Sequence, residues 1–163
     1  MALDWVGAIT KVFGALSQFL LKNWLFQVEP MGGQYVVYTY ERGDSPHVDV
    51  WLSVRVHNRN SSPTTLYAER LTVKLENRKD DDFPLPNVYP YGDFDSLFDG
   101  SRRIEVGGSS TVEVGFSSRK YYATLPDCYL SGRPLEVTIG VAETFGNHRE
   151  VRSQVVSKEV VRQ

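Results

Sequence analysis

The chain has 163 residues, 41% of them hydrophobic and 23% charged, which suits one ordinary domain, or one domain plus an appendage, and excludes a disordered or wholly membrane-embedded protein. The net charge is −2, but the first 23 residues carry only Asp4 against Lys11 and Lys22 and are therefore +1, leaving −3 on the remainder. A body of that sign, without a basic stripe, argues against nucleic acid as a partner.

The opening stretch, Met1 to Asn23, reads as an amphipathic helix. At 100° per residue Asp4, Gly7, Lys11, Gly14, Gln18 and Lys22 share a narrow polar arc. Trp5, Ala8, Ile9, Val12, Phe13, Ala15, Leu16, Phe19 and Leu20 cover the broad opposite face. This segment makes a poor secretion signal, because it has no early basic residue and Lys11 interrupts its apolar core. No uncharged run reaches the roughly 18 residues of a spanning helix. A single cysteine, Cys128, precludes an internal disulfide and fits a reducing compartment. These features point to a cytoplasmic protein, with the periphery of the inner membrane open as an address if the helix meets lipid.

Residues 24–34 form a linker or a first strand, with Glu29-Pro30-Met-Gly-Gly as the stop signal. From there the period changes to two. Tyr35-Val-Val-Tyr-Thr-Tyr-Glu reads as a strand and Arg42 to Pro46 as a turn. Next, Val48, Val50, Leu52, Val54 and Val56 alternate with Asp49, Trp51, Ser53, Arg55 and His57, predicting one dry face and one mostly solvated face. After the turn-rich Asn58–Pro63 come strands at 64–69 and 71–76, with Leu71, Val73 and Leu75 inward. An irregular stretch follows from Asn77 to Arg103. Two hairpins end the chain, one over 104–116 and one from Leu135 to about Val156, separated by a second irregular stretch over 117–134.

The expected fold is mainly β: a seven-stranded antiparallel sandwich over residues 35–156, preceded by the helix and followed by a tail at 157–163. Four segments carry a resemblance: the strand ending in Asn58-Arg-Asn-Ser-Ser-Pro-Thr, then Leu71-Thr-Val-Lys-Leu, then Ile104-Glu-Val-Gly-Gly-Ser-Ser, and the hairpin at Val141-Ala-Glu-Thr-Phe-Gly-Asn. Together they resemble the immunoglobulin-like and fibronectin-III-like β-sandwiches of small bacterial proteins. The resemblance implies architecture alone, since such folds host many unrelated functions.

Chemistry-bearing residues are sparse. His47, His57 and His148 have no zinc-site spacing, and Cys128 has no neighbouring cysteine, so neither a metal nor a cofactor is expected. Gly92 to Gly100 holds Asp93, Asp95 and Asp99 at calcium-loop spacings, but lacks the central glycine and the late glutamate. Asp80-Asp81-Asp82 reads as a solvated charge run. No nucleophile, base and anion hole converge, so an enzyme is not expected, nor is a small-molecule substrate.

What remains is binding. The helix face carries Trp5, Ile9, Val12, Phe13, Leu16, Phe19 and Leu20 as candidate docking residues, the other reading being that it covers a face of its own sandwich. Phe83, Tyr89, Tyr91, Phe94, Leu97 and Phe98 are too apolar to stand in water and either cap an open end of the sandwich or form a candidate second contact loop. The expected function is a non-enzymatic adaptor or assembly subunit whose helix docks the sandwich to sister subunits or a protein partner. The alternative is a membrane-active effector whose helix inserts into or lies on a bilayer after oligomerisation.

Overall fold

The structure, a computed structural model, describes residues 5–40, 43–90 and 102–162, without the side chains of residues 5, 6, 19 and 21–23. In chain order the elements are α1 (Trp5–Leu25), β1 (Phe26–Thr39), β2 (His47–Asn58), β3 (Thr64–Val73), β4 (Asp81–Phe83), β5 (Asn87–Pro90), β6 (Arg103–Val106), β7 (Ser110–Tyr121), α2 (Asp127–Leu130), β8 (Leu135–Glu143) and β9 (His148–Arg162). The strands run β4-β3-β8-β9-β1-β2-β7-β5, with β6 also on β3. This is the strand order of an immunoglobulin-like sandwich. One layer is β1-β2-β7-β5, the other is β4-β3-β8-β9, and one core lies between them.

Strand β9 joins the two layers. Its first half pairs antiparallel with β8 as far as Val155, and its second half pairs parallel with β1 from Gly33 to Thr39. The described sheet therefore has nine strands where seven were expected, and one pairing is parallel. Residues 157–162, expected as a tail, continue β9. Among the described residues they pair with β1 alone, and Lys158 is bulged out between the partners of Tyr35 and Val36.

Alternation places the core as predicted. Val48, Val50, Leu52, Val54 and Val56 are fully buried, facing Leu71, Val73, Val137, Ile139 and Val141 from the other layer. Burying each such side chain is worth about 1.5–3 kcal/mol. Three segments differ from the sequence pattern. Pro30 does not stop β1, because this half of the strand pairs with β2 only and a bulge between Pro30 and Gly32 absorbs the proline. Strand β7 runs on through Ser117–Tyr121, because these polar residues have a full ladder to His47–Trp51 of β2. The 77–103 stretch contains β4 and β5, and β6 opens at its last residue, Arg103.

Two carboxylates, one half-buried and one buried, tie loops and layers together. Asp81, at the start of β4, is half-buried, accepts bonds from the hydroxyls of Tyr122 (2.6 Å) and the fully buried Tyr129 (2.7 Å) and is paired with Lys120 of β7. Of the expected solvated charge run, Asp80 and Asp82 are exposed, whereas Asp81 is a cross-layer clasp. Glu143 sits at the β8–β9 hairpin and is 2% exposed. It accepts bonds from Thr64 Oγ1, from the Phe145 and Asn147 amides (both 2.9 Å), and from Asn147 Nδ2 (2.6 Å). Burial opposes the charge on both groups, but the donors outweigh it and hold both carboxyls below their ordinary range.

A depressed folded-state pKa stabilises the fold fully above the unfolded carboxylate range. That stabilisation is lost as pH falls through the lower folded value. Glu143→Gln should therefore lower unfolding free energy at pH 7 by about 2–3 kcal/mol and flatten the acid limb of the stability curve. Denaturant titrations of both proteins between neutral and acid pH check this.

Candidate docking surface

Helix α1 runs into β1 with no intervening loop, since Leu25 is helical and Phe26 is already paired with Asn58. Such an abrupt end leaves carbonyls open at a negative helix terminus. Arg59, in the β2–β3 turn, meets them. Its amide donates to the Leu25 carbonyl (2.8 Å), its Nη1 donates to the Trp24 carbonyl (3.4 Å), and its guanidinium lies 4.8 Å from the Trp24 ring centre.

Little of the helix touches the sandwich: Ser17, Gln18 and Leu25 border a cleft of about 370 Å³ shared with Phe26, Asn58 and Phe145 of the body, while residues 8–18 are exposed on both faces. Ile9 and Leu16 are 51% exposed, Val12 58%, Leu20 62% and Phe13 69%. Trp5 and Phe19, the other two expected docking residues, have side chains outside the described set. Gly14 approaches nothing, as a Cβ there would meet no atom within 4 Å.

The expected second contact loop is distributed differently. Phe83 is buried in the core on β4, with the Lys120 ammonium 5.9 Å from its ring centre. Tyr89, on β5, is 4% exposed and lies over Gly115. Tyr91, Phe94, Leu97 and Phe98 lie outside the described residues, as does the Gly92–Gly100 acidic stretch.

The other singled-out groups have structural partners. His47 is buried, stacked on Tyr38 at 4.4 Å between ring centres, and burial lowers its pKa. Beside it Asp49 is fully buried and receives both Arg119 Nε (2.6 Å) and Nη2 (2.7 Å), so this end of the expected wet face of β2 is dry. His57 and His148 approach Glu29 (3.3 Å) and Glu69 (2.9 Å). Burial raises the Cys128 thiol, the opposite of what an activated nucleophile requires. Among the described residues no group of three or more His, Cys, Asp and Glu could hold a metal ion, and no helix is long and apolar enough to cross a membrane.

Arg59 is the site residue that sequence reasoning missed. Asn58–Pro63 reads as a turn, and nothing local tells that this turn faces a helix end.

No protein-family model matches the sequence, and no curated protein matches it. Several solved structures are loosely similar. One is a chaperone–tip adhesion subunit pre-assembly complex from the archaic chaperone-usher Csu pili of Acinetobacter baumannii, with 10% identity over 82% of this chain and 57% of that chain, and a TM-score of 0.41. Another is a FixG-related protein from Vibrio parahaemolyticus, with 14% identity over 82% and 94% and a TM-score of 0.37. A third is the ASH/PapD-like domain 7 of human CEP192, with 9% identity over 87% and 89% and a TM-score of 0.36. At these scores the fold class stands on the strand order and register above.

Arg59→Ala removes the clamp but leaves the core intact. Hydrogen exchange across residues 20–26 should accelerate several-fold, while the sandwich loses no more than about 1 kcal/mol. Exchange mass spectrometry with parallel denaturant melts reads both.

Proposed function

We propose that this protein is a non-enzymatic adaptor or assembly subunit whose N-terminal helix docks the sandwich onto another protein, in the first instance onto the same helix of a second copy. The observation that carries the reading is the exposure of α1: Ile9, Val12, Phe13, Leu16 and Leu20 stay more than half exposed, uncovered by the body. Five such groups, each worth about 1.5–3 kcal/mol when buried, are a strong drive to association.

The spacing favours a helix as the cover. Ile9, Phe13, Leu16 and Leu20 follow one another at four, three and four residues, the repeat by which two helices interlock side chains along a seam. Charge gives lipid little hold, since the first 23 residues carry two lysines against one aspartate, and anionic lipid offers only about 1 kcal/mol per basic residue. The body supplies a rigid platform, and the Arg59 clamp fixes the direction in which the helix leaves it.

Deleting residues 2–23 should leave a folded, monomeric sandwich, whereas the full chain is at least dimeric by size exclusion with light scattering. Phe13→Asp combined with Leu16→Asp should reproduce the deletion. An unchanged assembly state in either variant would refute the reading. Flotation of the full chain with anionic phosphatidylglycerol vesicles, lost on deletion, would assign the face to a membrane instead.

A further inference from the structure

The outer face of the β1-β2-β7-β5 layer carries a groove of about 290 Å³, remote in sequence from the docking helix. Its shape follows from missing side chains. On one bank the β1 bulge places Gly32 at φ +104° and Gly33 beside β2, where a Cβ would lie 2.2 Å from the Trp51 carbonyl oxygen. On the other bank Gly115 lets the Tyr89 ring lie across β7, where a Cβ would lie 2.2 Å from that ring. Trp51 and Met31 stand at the sides, and Ser53, between Gly32 and Gly115 in register, lies at the base.

Three neutral polar groups line this groove: the Tyr89 and Ser53 hydroxyls and the Gln34 amide. None has a hydrogen-bond partner among the described residues. Tyr89 is the telling one: its ring is packed down, the residue being 4% exposed, while its hydroxyl keeps access to solvent through the groove and so is free to meet a ligand. No charged side chain lines the groove, and the nearest pair on the same face, Arg55 and Glu113, is matched at 3.1 Å. At the groove's Gly33 the backbone is also taken, being paired with both Leu52 and Val155, so side chains supply the holding groups there.

The occupant is therefore uncharged, is held by side chains, and offers several hydroxyls together with one apolar face. We infer that this groove binds the ring of a neutral saccharide, its apolar face against Trp51 and its hydroxyls on Tyr89, Ser53 and Gln34. The volume suits one ring, at the small end of ligand pockets, and an aromatic wall beside a few fixed polar groups is the chemistry such a ring requires.

Saturation-transfer NMR on the full chain with glucose, galactose, mannose, N-acetylglucosamine, maltose and cellobiose at millimolar concentration tests this. Transfer to at least one sugar is expected. It should vanish in Ser53→Leu, which fills the groove, and affinity should fall about 5–10-fold in Tyr89→Phe, which removes a single oxygen. Amide spectra establish that each variant is folded, and if Ser53→Leu is not, Gln34→Ala takes its place with the same fall expected as for Tyr89→Phe. No transfer from any of the six sugars overturns the assignment, as does transfer undiminished in the folded variants.

Discussion

The structure depends on strand β9 having two partners. Its fifteen residues are too many for the nine of β8, so the strand leaves one layer at Val155 and completes the other by running parallel to β1. That exchange closes the sandwich and holds β1 in place along Gly33–Thr39. Because β1 begins where α1 ends, without a loop, the placement of β1 also fixes the C-terminal end of the helix.

The rest of the molecule reinforces this arrangement at three points. Asp81 draws Lys120, Tyr122 and Tyr129 together, so β4 on one layer is fastened to β7 on the other and α2 closes that end of the core. Glu143 gathers four donors at the β8–β9 turn and fixes the hairpin from which β9 departs. Arg59 seals the helix end against the β2–β3 turn. Each is a polar group whose desolvation is offset only because its partners are complete, which makes each sensitive to loss of a single partner.

The sequence disclosed the core well and the polar architecture poorly. Alternation along Val48–Val56 and Leu135–Val141 is a local property of a strand with one dry face, so it could be read directly. What failed to show was every feature that depends on a distant segment. Asp81 looks like one of three solvated aspartates until Tyr129, 48 residues later, is placed beside it. His47 and Asp49 look wet until Arg119 and the tyrosines arrive from β7 and β1. Pro30 looks like a terminator because only the fold tells that its strand lacks a second neighbour there. The N-terminal helix was legible because amphipathicity is local, but its direct junction with β1 was not. Phe83 and Tyr89, adjacent in one aromatic run, part company once β4 and β5 join different layers.

The bulge at Lys158 bears on how an open strand edge is guarded in a molecule that also presents an apolar helix face. Past Val155 the last strand has, among the described residues, a neighbour on one flank only, and an unguarded flank of that kind is a template on which identical chains can polymerise without limit. Here the ladder is broken by an extra residue, and that residue is a lysine followed by Glu159. A second chain laid along it would lose register at the break and bring desolvated charge into the seam. Growth through the sheet is thereby discouraged, and a contact through the greasy flank of the first helix, as proposed above, would give a finite assembly and not a fibre.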